Sequence, residues 1–111
     1  MKHNKGGVLF DENHPRYISA ALNAIDELLK KNKLFEINTG AMFRMGNTQP
    51  YPSEFILKEL CNRGGEILLT CDSHSTKSIY YKFSEMLDLV EYCGFKYIKR
   101  LTKSGFIDVK I

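Results

Sequence analysis

Asp72 and His74 are the residues whose types and spacing most directly suggest chemistry. They close the run Glu66-Ile67-Leu68-Leu69-Thr70-Cys71-Asp72-Ser73-His74, in which an apolar stretch of strand length stops at an acid, a hydroxyl and an imidazole. Residues two apart on a strand point to one face, so this pair is expected to project together from the end of a buried strand. Sites gather at the carboxyl ends of strands in α/β sheets. A carboxylate beside an imidazole there suits a hard or borderline divalent metal. The plainer reading is that Asp72, Ser73 and Ser75 cap the next helix, with His74 merely nearby. Two donors are also fewer than the roughly three or four of a zinc site.

Glu36 and Asn38 form a second pair with the same spacing, at the end of the neighbouring expected strand. Sheet adjacency would bring them beside Asp72 and His74; alternatively Glu36 simply faces solvent. Arg44 follows in a polar loop, where an arginine can clamp a phosphate in bidentate fashion or remain a solvated charge. His3 and His14 read as solvated or capping residues. Tyr80, Tyr81, Phe83, Tyr92, Phe95 and Tyr97 lack an accompanying basic stripe, which favours core and interface packing over base stacking.

The elements that must position these residues follow from hydrophobic spacing. Residues 1–7 read as a basic, aperiodic leader, flexible or the torn edge of something larger. Asp11-Glu12-Asn13-His14-Pro15 reads as a helix start, with Pro15 at the first helical position and a polar side chain before it as cap. Ile18, Ala21, Leu22, Ile25, Leu28 and Leu29 then recur at steps of three and four, the mark of one helical face. Residues 34–40 suggest a short strand, 41–49 a long loop, and Pro50-Tyr51-Pro52-Ser53 the start of a second helix. That helix carries Phe55, Ile56, Leu60 and Cys61 and stops at Gly64-Gly65. Residues 67–71 form the strand leading to Asp72. Phe83, Met86, Leu87, Val90 and Cys93 mark a third helix, and residues 97–101 a further strand. After a turn at 102–105, residues 106–111 alternate, with Ile107, Val109 and Ile111 on one side and Asp108 and Lys110 on the other. This is the pattern of a half-exposed edge strand.

Alternating helices and strands predict an α/β fold with a mainly parallel sheet and right-handed crossovers, as a single domain over residues 1–111. Both faces of such a sheet should be covered, yet only three helices are expected, so the sheet looks incomplete. A net charge of +3, spread along the chain, argues against a nucleic-acid partner. No apolar run reaches membrane-spanning length. Three widely spaced cysteines, Cys61, Cys71 and Cys93, form no CxxC pair and fit a reduced, cytoplasmic protein.

Three of these stretches also resemble a known family. Leu34-Phe35-Glu36-Ile37-Asn38-Thr39-Gly40, Pro50-Tyr51-Pro52-Ser53 and Leu69-Thr70-Cys71-Asp72-Ser73-His74-Ser75 are similar to the C-terminal part of histidinol-phosphatases of the PHP (polymerase and histidinol phosphatase) family. Val8-Leu9-Phe10-Asp11-Glu12-Asn13 before Pro15-Arg16-Tyr17 also looks like that family. The resemblance implies part of a distorted (β/α) barrel with up to three divalent metals, zinc, manganese or iron, at its strand ends. It implies hydrolysis of a small phosphate monoester, typically L-histidinol phosphate in histidine biosynthesis. Asp72 and His74 match the last metal-binding motif, with Asp72 also assisting proton transfer. Arg44, Glu36 and Asn38 are expected to bind phosphate or substrate.

The family's early His-x-His pair, its middle Glu and His ligands and its third-motif His have no counterpart in this sequence. The chain therefore resembles about the last third of such an enzyme and is expected to lack activity in isolation. Exposed sheet edges lead to an expectation of self-association, with exchange of the 106–111 strand. Two other readings compete: a PHP phosphoesterase acting on another phosphate ester, and a non-catalytic α/β interaction module.

Overall fold

The computed structural model describes Asn4 and residues 7–111. The chain divides into two compact units, Met1–Lys33 and Leu34–Ile111. The leader expected at 1–7 lies mostly outside the described residues, as does His3.

Within the first unit, Asn4 is buried with all of its polar side-chain atoms engaged. Its Oδ1 accepts from the amides of Leu9 at 2.9 Å and Phe10 at 3.1 Å. Its Nδ2 donates to Phe10 O at 3.0 Å and to Glu12 Oε1 at 2.9 Å. That bond is the main cause holding the Glu12 carboxyl below its usual pKa. Helix α1 spans Pro15–Lys30. Pro15 occupies the first turn, and His14 is the cap, its Nδ1 accepting from the Arg16 amide at 3.1 Å. Ile25 is the buried member of the expected apolar stripe, whereas Leu28 is 43% exposed.

The second unit is mixed α/β around an open four-stranded sheet in the order β1-β2-β3-β4. Its elements are β1 (Phe35–Asn38), α2 (Gly40–Met45), α3 (Glu54–Asn62), β2 (Ile67–Thr70), α4 (Phe83–Tyr92), β3 (Tyr97–Thr102) and β4 (Gly105–Lys110). β1, β2 and β3 pair in parallel, and β4 folds back antiparallel on β3. Ile37, Ile67, Leu57, Leu60 and Val90 are essentially inaccessible, and Ala41, Met42, Met86, Cys93 and Phe95 are also buried in the core. Burying each such aliphatic side chain contributes about 1.5–3 kcal/mol, so this cluster is the main stabilising unit. α3 ends where Gly64 takes a left-handed φ of 74°, and the Gly65 amide then bonds Leu60 O at 2.8 Å.

The structure corrects several expectations. The loop expected over 41–49 begins as helix α2, because Ala41 and Met42 find burial and the Asn38 side chain accepts from the Gly40 amide at 2.7 Å. The second helix starts at Glu54 and not at Pro50. Tyr51 instead forms an antiparallel bridge with Asn38, and Ser53 occupies the cap position. Leu57, absent from the expected apolar set, is fully buried. The aromatic group is not mainly core. Phe95 is buried, but Tyr80, Tyr92 and Tyr97 are 73%, 68% and 54% exposed, their hydroxyl-bearing rings tolerating water at one end. Among the described residues, no helix is long and apolar enough to cross a membrane.

Candidate functional site at the carboxyl ends of β1 and β2

The parallel register sets Glu36 beside Leu68 and Asn38 beside Thr70. Alternation along each strand then gathers Glu36, Asn38, Leu68 and Thr70 on one face, while Ile37 and Ile67 enter the core on the other. Glu36 Oε1 accepts from Asn38 Nδ2 at 2.6 Å and, in a close contact, from the Thr70 hydroxyl. The Thr39 amide bonds Thr70 O at 3.0 Å, tying the two strand ends together. Glu36 is exposed, and its carboxylate is held by these two neighbours.

β2 ends at Thr70, and Asp72 adopts a left-handed φ of 44°. Aspartate tolerates this region better than most residues, because its short polar side chain can hydrogen-bond locally. Strand alternation therefore does not explain the meeting of Asp72 and His74. The turn nevertheless brings His74 Nε2 to 3.6 Å from Asp72 Oδ1. That is longer than a hydrogen bond and becomes an ion pair when the imidazole is protonated. Nor does Asp72 cap the next helix. Ser73 and Ser75 hydrogen-bond the buried Ser78 hydroxyl within a short 3-10 turn, and α4 begins later, at Phe83.

Arg44, on the last turn of α2, reaches across to this turn. Its Nη1 donates to Asp72 O at 2.7 Å and its Nη2 to Asp72 Oδ2 at 3.0 Å. One arginine thus pins both the main chain and the carboxylate of a residue in a left-handed conformation. Gly40 makes this approach possible. A Cβ there would lie 2.7 Å from Cys71 O and 2.8 Å from both Arg44 terminal nitrogens, inside any normal contact distance. The Gly40 amide bonds Asn38, so this glycine joins the two polar sets.

Two groups result, Glu36–Asn38–Thr70 and Arg44–Asp72–His74, on adjacent strand ends. No hydrogen bond or ion pair joins one group directly to the other among the described residues. Sequence reasoning missed Thr70 as a partner of Glu36, although the matched lengths of the two apolar runs would align it with Asn38. It also missed the close packing that makes Gly40 necessary.

As a metal site the donor set is insufficient. Asp72 and His74 offer one carboxylate and one imidazole, with one carboxylate oxygen already engaged by Arg44. Among the described residues, no group of three or more His, Cys, Asp or Glu could hold a metal ion. The arrangement can orient an imidazole against a carboxylate and present the remaining guanidinium N–H groups of Arg44 to an anion. The fold and site thus define a mixed α/β protein with an open, mostly parallel sheet and polar strand ends. No protein-family model matches the chain, and no curated protein matches it either.

Proposed function

We propose that the chain forms part of the distorted barrel of a cytoplasmic, PHP-type metal-dependent phosphatase. In this reading it contributes the Asp72–His74 corner and Arg44 to a site for a small phosphate monoester, L-histidinol phosphate by resemblance. The observation that carries the proposal is the convergence of Arg44, Asp72 and His74 beside the carboxyl ends of parallel strands, with spacings of 3.0 and 3.6 Å about one carboxylate. Arg44 binds phosphoryl oxygens through the N–H groups that Asp72 leaves unused. Asp72 takes or returns a proton within reach of His74, and Glu36 and Asn38 hold the polar part of the substrate. Divalent metals of the family would supply charge neutralisation to the phosphate. Asp72 and His74 are too few to hold that cluster, so turnover by this chain alone is expected to be negligible.

The Arg44–Asp72 pair favours a second reading, a non-catalytic α/β interaction module, because it engages one oxygen of the carboxylate a metal would need. Manganese or zinc titration of the wild type beside Asp72→Ala and His74→Ala separates the two. The phosphatase reading expects weak binding that both substitutions abolish, without measurable phosphate release from L-histidinol phosphate. Binding that survives both substitutions removes its metal argument, and turnover near that of a complete enzyme overturns the assignment of an incomplete site.

A further inference from the structure

β4 is an edge strand with one side unpaired. The Ile111 amide bonds Lys96 O at 3.1 Å, and the β3–β4 register places Val109 opposite Ile98 and Ile107 opposite Arg100. Antiparallel ladders alternate, so the odd-numbered residues of β4 direct their backbone groups to β3. The N–H and C=O of Phe106, Asp108 and Lys110 then point to the open edge. The same alternation puts Ile107, Val109 and Ile111 on one face and Asp108 and Lys110 on the other.

From this pattern we propose that the open edge of β4 pairs antiparallel with β4 of a second copy of the chain. Each β4 stays on its own β3, and the two sheets join about a two-fold axis at Val109. Only registers that keep each face continuous are available, and charge decides among them. Centring on Asp108 sets two carboxylates opposite each other, which is destabilising. Centring on Ile107 sets Phe106 opposite Asp108 and leaves Lys110 without an acid. Centring on Val109 sets Asp108 of each copy opposite Lys110 of the other, with Ile107 opposite Ile111 and Val109 opposite itself. Lys110 has no acidic partner within its own chain among the described residues. Asp108 meets Lys99 at 2.8 Å through Oδ1 and remains 59% exposed. An isologous contact of this kind closes on itself, which a chain with unpaired strand edges requires to avoid open-ended growth. The proposal does not depend on how the β1–β2 strand ends are read.

Light scattering across a dilution series tests it on the full chain. The expected mass is twice 12.8 kDa at high concentration, falling to 12.8 kDa on dilution. Lys110→Glu places like charges opposite each other twice, and is expected to raise the dissociation constant about tenfold or more with an unchanged circular dichroism spectrum. Val109→Cys sits at a non-hydrogen-bonded pair, where the Cα separation of about 4.5 Å admits a disulfide. Its oxidised dimer should yield a 109–109 linked peptide by mass spectrometry. A monomer at every concentration, an open-ended series of masses, a dimer indifferent to Lys110→Glu, or a dimer lacking the 109–109 link would each overturn the proposal.

Discussion

β1 and β2 run parallel with Ile37 and Ile67 covered and their polar ends knitted by Glu36, Asn38, Thr70 and Arg44, whereas the β3–β4 hairpin leaves much of its apolar surface in water. Tyr97, Leu101, Phe106 and Ile107 are 54%, 69%, 53% and 40% exposed, and the hairpin's polar anchor is Lys99 between Glu66 and Asp108, each at 2.8 Å. Each pair of strands is joined by a continuous backbone ladder, so the pairing within each does not separate them. What differs is cover: the first pair places one face in a packed core, and the second holds its register by the turn and a charge bridge. Stability should therefore concentrate at β1–β2 and association at β4.

The largest expected effect is in the core. Ile37→Ala should cost about 2–5 kcal/mol, the range for truncating a buried aliphatic side chain. Leu101→Ala, on the hairpin, should stay within about 0.5 kcal/mol. Urea midpoints for the two variants measure the contrast, and equal losses would end it.

Gly40→Ala tests the joint between the polar sets. The added methyl would lie 2.7 Å from a backbone carbonyl, which cannot move aside as a side-chain tip can. A loss of about 1–3 kcal/mol is expected, the usual range for overpacking. The Arg44→Ala, Gly40→Ala double variant should recover little of it, since the Cys71 carbonyl remains in the way. Full recovery would assign the strain to the guanidinium instead.

Asp72→Asn sharpens the comparison at lower energy. Asparagine also accepts a left-handed φ, and the 2.7 Å bond from Arg44 to the main-chain oxygen remains. With Arg44 and Asp72 side chains 41% and 52% exposed, the lost charge pair should cost less than about 1 kcal/mol. A larger loss in thermal denaturation would mean that the carboxylate organises the whole turn.

The smallest effect concerns pH at the hairpin. Asp108, and then Glu66, hold the Lys99 ammonium above its usual pKa of 10.5. Its folded pKa exceeds its unfolded one, so its contribution is complete below the ordinary lysine pKa and is lost as pH rises through the raised value. The melting temperature of the wild type should accordingly fall relative to Lys99→Met above about pH 10. Parallel curves would remove the charge bridge from the hairpin's stability.

Much of the framework was legible because its causes are local. His14-Pro15 opens α1 through contacts within two residues, the three-four spacing of Met86, Val90 and Cys93 marks the buried face of α4, and Gly64 closes α3 with the turn only its φ permits. The β3–β4 hairpin was legible in its alternation and short turn. The candidate site was legible in residue types but not in its bonds.

Arg44 meets Asp72 from 28 positions away, and Thr70 meets Glu36 from 34. No local period encodes such distances; they follow from the parallel register and from Gly40 admitting a close approach. Residue types and their spacing singled out acid and imidazole at the end of one strand and a guanidinium in the loop expected after another, whereas Asp72 and His74 lie in the turn beyond β2 and Arg44 lies on α2. Only the tertiary structure decided that α2 would form, that Asp72 would turn left-handed out of β2, and that Arg44 would hold it there. The physical reason is that side-chain pairing across a sheet depends on which strands pack together and on which atoms are small enough to let them.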